Sequence, residues 1–290
     1  MKLTHIATRT GRLSSFLKNE LGLSTGLMNK LKWQEKLLVD GIPRHADYVV
    51  EIGNEITAQL DEPEPEYPAE DLHIAILYED EHILAVDKPA GMLIHPSAHR
   101  NTGTLANRVI GYYQRTGQSC AFHPITRLDR DTFGIVLLAK NAHIHSIFTM
   151  LQEEKKLQKV YHAAVYGKPA KTEGVIDLPI ARKPLPSLLR EIREDGKPSV
   201  TKYRVLAETE LLSKLELIPV TGRTHQLRLH CSHMGYPILG DPQYGTKASI
   251  AYSEAKGIHS QLLCAKHLTF PHPITGETMT ISSQMDADIK

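Results

Sequence analysis

The 290-residue sequence predicts the α+β class: a core built on a mainly antiparallel mixed sheet with flanking helices, plus a small N-terminal domain. Three observations predict this. Strand-like runs succeed one another without regular β-α-β alternation, which disfavours a doubly wound parallel sheet. Apolar residues recur at helical spacing in only a few segments. An acidic, proline-rich stretch from Asp61 to Glu70 separates a short first part from a long second part.

In the first part, residues 1–60, Leu13, Phe16, Leu17 and Leu21 follow a helical period. Ser24 is placed to cap a second helix carrying Leu27, Met28, Leu31 and Trp33. Leu37 to Pro43 reads as a hairpin turning at Asp40-Gly41, and short strands are expected at Tyr48–Val50 and Glu55–Ala58. A single Trp in a small module more often fills its core than offers a stacking platform, and Trp33 is read that way. Residues 61–71 read as a linker, because prolines fix φ and the acids repel, which extends the chain. An acidic strap lying on a basic surface is the alternative.

The second part, residues 72–290, begins with strands at Ile74–Tyr78 and Ile83–Val86 around an acidic turn. Helices are expected over 104–115 and 141–154, with Val109 and Phe148 among their inward residues. Between them the apolar run Ile135–Ala139 reads as a buried strand, and further strands are expected at 160–166, 202–207 and 215–219.

With 41% hydrophobic residues the chain can bury a sizeable core. It shows no apolar run long enough for a bilayer and no signal-peptide pattern, so a cytoplasmic protein with no membrane partner is expected. Cys120, Cys231 and Cys264 are odd in number and widely spaced, unlike a disulfide framework. The net charge of +1 hides a division: residues 61–87 hold ten acids and no Lys or Arg, whereas residues 88–290 hold 26 bases against 17 acids. The second part can attract a polyanion over a screening length of about 8–10 Å, which admits nucleic acid without requiring it.

Asp129 is the most informative residue. It stands between Arg127 and Arg130, where a loop enters the apolar run Ile135–Ala139. A carboxylate at the rim of a core and close to cations can stay ionised while acting as a nucleophile. An Asp–Arg pair that fixes a turn is the plain alternative for this run taken alone. His225, His230, Cys231 and His233 are crowded, but their spacing matches neither H-E-x-x-H nor paired C-x-x-C, so no metal is expected.

Four segments resemble, in order, the motifs of the RluA-type family of RNA pseudouridine synthases. They are Asp87–Pro96, the run around Arg127-Leu128-Asp129, Lys159–Gly167, and Thr221–His230 continuing through Gly240–Gly245. The resemblance implies isomerisation of uridine to pseudouridine in structured RNA, ribosomal or transfer. The base is flipped out, the glycosidic bond breaks, and the uracil rejoins through carbon 5. No redox change or net hydrolysis occurs, so no cofactor is implied.

By the same resemblance, Asp129 matches the catalytic aspartate, Arg228 the arginine that pairs with it, and Tyr161 the tyrosine beside it. The tyrosine ring stacks on the uracil, and its hydroxyl takes part in removing the proton from carbon 5. Leu227 fits the apolar wall of the pocket, with core packing equally open to it. Arg127 is expected to fill the gap left by the extruded base. Lys88 and Arg223 are expected as phosphate contacts. Residues 1–60 resemble an αL-type RNA-binding domain, with Lys30, Lys32, Lys36 and Arg44 as its basic groups. The basic segment Arg182–Pro198 reads equally as a loop that grips RNA or as a solvated hairpin, and a monomer is expected.

Two positions depart from the family pattern. Thr126 stands where His is common, and Phe133 stands where a small Ser or Thr is usual. Phe133 can alter packing behind the loop or narrow the RNA channel. Two other readings use the same residues. A retaining glycosidase or nucleoside hydrolase also acts at an anomeric carbon, but it wants a second carboxyl about 5–10 Å away, for which Asp131 is the candidate. A non-catalytic RNA-binding protein with a decayed core has no need to keep Asp129, Tyr161 and Arg228 together.

Overall fold

The computed structural model describes residues 2–61, 67–97, 100–184, 186–187 and 189–289. Its first sheet belongs to the N-terminal residues. In chain order these form β1 (Lys2–Ile6), β2 (Gly11–Arg12), α1 (Leu13–Asn19), α2 (Thr25–Trp33), β3 (Leu37–Val39), β4 (Ile42–Pro43), β5 (Val49–Val50) and β6 (Glu55–Gln59). Strands run in the order β1-β6-β3-β4, antiparallel throughout. Leu13, Phe16 and Leu17 of α1 and Leu31 of α2 share a core with Val39, Ile56 and Ala58, drawn wholly from residues 7–60. Ser24 caps α2, its Oγ accepting from the Leu27 amide at 3.3 Å. Asp40 (φ 49°) and Gly41 (φ 75°) both adopt the left-handed backbone that a two-residue I′ hairpin turn needs.

Trp33 is not in that core. Met28 and Leu31 take the inward face of α2, and Trp33 lies two residues on, 83% exposed. Strand β1 went unread because its alternating pattern is only half-buried, with Leu3 packed at the edge of the core.

The second sheet collects β7 (Ala75–Glu79), β8 (Ile83–Lys88), β9 (His123–Pro124), β10 (Phe133–Ala139), β11 (Gln158–Tyr166), β12 (Glu173–Asp177), β15 (Val200–Glu208), β16 (Leu212–Pro219), β17 (Leu263–Pro271) and β18 (Thr278–Ser282). A separate hairpin, β13 (Ile180–Arg182) with β14 (Arg190–Ile192), stands beside it. The helices are α3 (Leu105–Arg115), α4 (Ala142–Glu153), α5 (Gln226–His233) and α6 (Lys247–Ala255). The main order is β12-β15-β16-β11-β17-β10-β8-β7, with β18 beside β17 and β9 beside β10. Among the described residues only β10 and β17 pair in parallel, through Phe133↔Cys264 and Gly134↔Ala265.

Strands β8 and β10 are covered on both faces. Leu84, Val86, Val136 and Leu138 pack with Leu105, Val109 and Tyr113 of α3. Their neighbours Ile83, Ala85, Ile135 and Leu137 pack with Ile144 and Phe148 of α4. Double coverage explains why Ile135–Ala139 is apolar without interruption. A third cluster sets Ala163, Val165, Leu215 and Leu217 against Leu227 and Cys231 of α5. Gly134 (φ 104°) sits where β10 meets β17, and a Cβ there would lie 2.4 Å from the Ala265 carbonyl oxygen. That close approach anchors the beginning of β10, and with it the loop carrying Asp129.

The linker expected over 61–71 ends sooner than its composition suggests. Glu62–Glu66 lie outside the described residues, but Tyr67–Asp71 are docked on the second body. The Tyr67 ring packs edge-on to His95 and Phe122, and the Pro68 carbonyl accepts from Asn107 at 2.8 Å. The Glu70 carboxylate accepts the Gly103 amide at 2.9 Å. Gly111 permits this, since a Cβ there would lie 2.1 Å from the Glu70 carbonyl oxygen. Among the described residues no helix is long and apolar enough to cross a membrane.

Candidate active site

Three elements converge on Asp129. Its loop leads into β10, Arg228 projects from α5, and Tyr161 stands on β11. Arg228 Nη1 donates to Asp129 Oδ2 at 3.1 Å. The rest of the guanidinium is engaged: Nε and Nη2 donate to Asp241 at 2.7 and 2.9 Å, and Nη2 also donates to Gln243 Oε1 at 2.7 Å. The Tyr244 ring lies 5.0 Å from the guanidinium carbon. Burial works against the charge of Arg228, yet Asp241 and then Asp129 raise its pKa above the ordinary value. The cation is thus permanent, and Asp241 fixes its plane by a two-pronged contact. Asp129 itself keeps 32% of its side chain exposed, so a substrate can reach it.

The beginning of α5 has an unusual construction. Its N-cap, His225, adopts left-handed φ 58°, ψ 17° and offers no side-chain cap. Gln226 does the fastening instead. Its Oε1 accepts from the Thr221 hydroxyl and the Arg223 amide, while its Nε2 donates to the Val200 carbonyl and the Thr201 hydroxyl. This buried amide ties the turn before the helix to the end of β15–β16, and so fixes the direction of Arg228.

Lys88 requires a correction. Expected as a phosphate contact, it is 0% exposed, and its Nζ donates to the carbonyls of Pro89, Met92 and Arg130 at 3.0, 2.9 and 2.9 Å. An ammonium has three protons, so none remains for a phosphate. Desolvation brings its pKa down to about 8, against the opposing pull of Asp131 and Asp129. Lys88 holds the backbone of the residue after Asp129. Thr126, at the position where His is common, also fixes this loop: its hydroxyl accepts the Leu137 amide at 3.0 Å. Phe133 is buried and packs with Cys264 and Ala287.

Tyr161 packs at the edge of the cluster of buried residues that contains Leu227 and Leu217. Burial raises the pKa of the Tyr161 hydroxyl, with the negative charge of Asp129 adding to the effect. Arg127 is exposed at the mouth of the loop, close enough to Lys159 to help lower that ammonium's pKa, after the larger effect of burial. Arg223 is also exposed, and its Nε donates to the Pro198 carbonyl at 3.3 Å. Lys30 and Lys32 stand on α2 in the N-terminal unit, where Lys32 Nζ lies 5.9 Å from the Trp33 ring centroid. Among the described residues neither lysine contacts the Asp129 cluster.

Beside this cluster opens a cleft of about 500 Å³. It is framed by the β13–β14 hairpin (Lys183, Arg190, Ile192), by Leu229 and His233 of α5, and by Gln243 and Tyr244. The basic segment 182–198 is therefore a hairpin wall, with Leu185 and Leu188 outside the described residues. Gln243 and Tyr244 join the cleft to Arg228. The other nearby carboxylates have partners: Asp241 holds Arg228, and Asp131 takes two bonds from Arg130 at 3.0 and 2.8 Å. Neither is placed as the proton donor that a glycosidase wants. His230 is bound to Thr201 and the Leu178 carbonyl.

The sequence alone gives no role to Asp241, Gln243 or Tyr244, although they lie in the Gly240–Gly245 segment, and it raises His225 only as a metal ligand that its spacing disfavours. The available signal was an acid followed within three residues by an amide and an aromatic, close after an arginine that needs a buried partner.

Comparison with known proteins identifies the family of the chain. A family model described as RNA pseudouridylate synthase matches residues 82–233. The uncharacterised RNA pseudouridine synthase YjbO of Bacillus subtilis is 35% identical over 273 residues, covering 93% of this chain and 94% of its own. Ribosomal large subunit pseudouridine synthase D of Pseudomonas aeruginosa is 34% identical over 265 residues, covering 87% of this chain and 81% of its own. Among solved structures, human RNA pseudouridylate synthase domain containing 1 superposes with a TM-score of 0.62 at 26% identity, over 75% of this chain and 86% of that one. The chain belongs to the RNA pseudouridine synthases, the isomerases that convert uridine to pseudouridine in RNA.

Proposed function

We propose that this enzyme isomerises a uridine in structured RNA, ribosomal RNA in the first instance, with Asp129 as the group that meets the sugar–base bond. The observation that carries the reading is a reachable carboxylate with one oxygen bound 3.1 Å from a buried, permanently charged guanidinium. A carboxylate held there faces the positive charge that develops at the anomeric carbon as the bond to N1 breaks. The uracil then turns, carbon 5 bonds to the sugar, and the proton leaving carbon 5 is balanced by the proton gained at N1.

Tyr161 gives the flipped uracil an aromatic face. Its hydroxyl, kept protonated, acts as a hydrogen-bond partner during the rearrangement. Arg127 stands at the loop mouth as the side chain that fills the vacated stack, offsetting part of the cost of flipping. Arg223, together with Lys183 and Arg190 along the cleft, supplies phosphate contacts. Residues 1–60 act as an αL-type RNA-binding domain that presents Lys30 and Lys32, with Trp33 exposed beside them for base stacking. Ribosomal RNA is favoured because the Pseudomonas aeruginosa relative carries it in its name.

The test is pseudouridine mapping across all RNA in cells lacking the gene, restored with wild type or with Asp129→Asn. One or a few ribosomal sites should vanish and return only with wild type. Return of those sites with the Asn variant defeats the role given to Asp129, and loss confined to other RNAs defeats the ribosomal assignment.

A further inference from the structure

We propose that His225 is a positioning residue that orients the Asp129 carboxylate, so that Oδ1 is the oxygen presented to the flipped uridine. The inference rests on the reading of Asp129 as the reacting group. Both contacts of that carboxylate fall on one oxygen: Arg228 Nη1 lies 3.1 Å and His225 Nε2 lies 3.9 Å from Oδ2. Among the described residues Oδ1 makes no hydrogen bond. One oxygen is held and its twin is left for chemistry.

The neighbours of His225 set its tautomer. Its Nδ1 lies 2.8 Å from the Tyr244 hydroxyl, and that hydroxyl accepts the Arg190 amide at 2.9 Å. A hydroxyl has one proton to give. In the proposed arrangement the hydroxyl proton goes to Nδ1, and the neutral ring carries its own proton on Nε2, facing Asp129. Burial favours this neutral form, against the pull of Asp129. Arg190 comes from the hairpin that walls the cleft, so a chain of contacts runs from that wall through Tyr244 and His225 to the carboxylate.

The backbone adds a second observation. His225 is held at φ 58°, in the left-handed region where Asn, Asp and His are the commoner non-glycine residues, at a helix start that Gln226 already fastens. That backbone, fixed by the Gln226 bonds to Val200 and Thr201, sets the direction in which the imidazole leaves the chain. The 3.9 Å separation exceeds a hydrogen bond, and catalytic contacts of free enzymes commonly shorten when substrate enters.

The experiment is steady-state kinetics on the full-length enzyme with a transcript containing its mapped site, alongside thermal unfolding. Asn tolerates the left-handed backbone but is too short to reach Asp129, so His225→Asn should lower kcat by about 10- to 100-fold with KM within about twofold. Gln carries an amide N–H near the position of Nε2, so His225→Gln should recover most of that loss. Tyr244→Phe keeps the ring beside Arg228 and removes only the hydroxyl, so kcat should fall by roughly 3- to 10-fold. Wild-type kcat in His225→Asn overturns the inference. So does an equal loss in the Asn and Gln variants, or a loss appearing in KM alone. Asp129→Asn separates the two levels: its continued activity sinks the reading of the site, whereas an inactive Asp129→Asn beside a fully active His225→Asn sinks this inference only.

Discussion

Arg228 and Lys88 are both cations buried against the Asp129 loop, and their protons go to different places. Arg228 gives one N–H to the Asp129 carboxylate and three to Asp241 and Gln243. Lys88 gives all three to backbone carbonyls, one of them on Arg130, the residue after Asp129. The first meets the charge of the site, and the second fixes the chain that carries it. What a buried cation does is decided by its acceptors, and two cations matched to family motifs need not share a role.

The largest expected effect breaks the Arg228 side. Arg228→Met leaves Asp241, with only 1% of its side chain exposed, as an unpaired buried carboxylate. Losing one partner of such a pair costs about 3–5 kcal/mol, to be read from urea unfolding. Pseudouridine formation should vanish in the protein that remains folded. Near-normal stability would mean that water reaches Asp241 and that the pair is not closed.

Lys88→Met should be milder. Carbonyls left without a buried donor cost about 1–3 kcal/mol, and kcat should fall as the Asp129 loop loosens. The decisive readout is RNA affinity against salt. An unchanged slope agrees with a backbone anchor. A slope reduced by about 0.7–0.9 would restore the phosphate role that burial argues against.

The same lysine sharpens the comparison through pH. With its pKa near about 8, Lys88 loses its charge as pH rises through that value, whereas Arg228 does not. Activity should therefore decline on the alkaline side of about 8. Stability should move the other way. Lysine in the unfolded chain titrates near about 10.4, so between about 8 and 10.4 the unfolded state binds more protons and this group's contribution rises with pH. A parallel decline of activity and stability across that window would count against Lys88 as the titrating group.

The smallest effect is expected at the exposed rim. Arg127→Ala should leave stability within about 0.5 kcal/mol and lower the salt slope of RNA binding by about 0.7–0.9. No change in slope would remove Arg127 from the RNA surface.

Much of the fold was legible because its signals are local. Ser24 caps the helix it precedes, Asp40-Gly41 forms the turn its residue types favour, and Ile135–Ala139 is buried on both faces. The helix α5 was not read, since His225 gives no capping signal and the fastening comes from Gln226, which reaches Val200 and Thr201 across the fold. Lys88 was misread for a related reason: lysines are mostly exposed, and the burial of this one depends on the Arg130 carbonyl, 42 residues on, closing over a lysine that also donates to Pro89 and Met92 nearby. The tyrosine–histidine contact joins residues 19 apart in sequence and was equally hidden. Trp33 went the other way, because a short helix has room for only one inward face.

The most direct measurement is single-turnover pseudouridine formation by purified Asp129→Asn, with RNA affinity measured on the same preparation. An Asn keeps the shape and a hydrogen bond to Arg228 but has no negative charge. Binding equal to wild type with no isomerised product is the predicted result. Product formed at the wild-type rate would contradict a mechanism in which the ionised carboxylate at position 129 performs the chemistry.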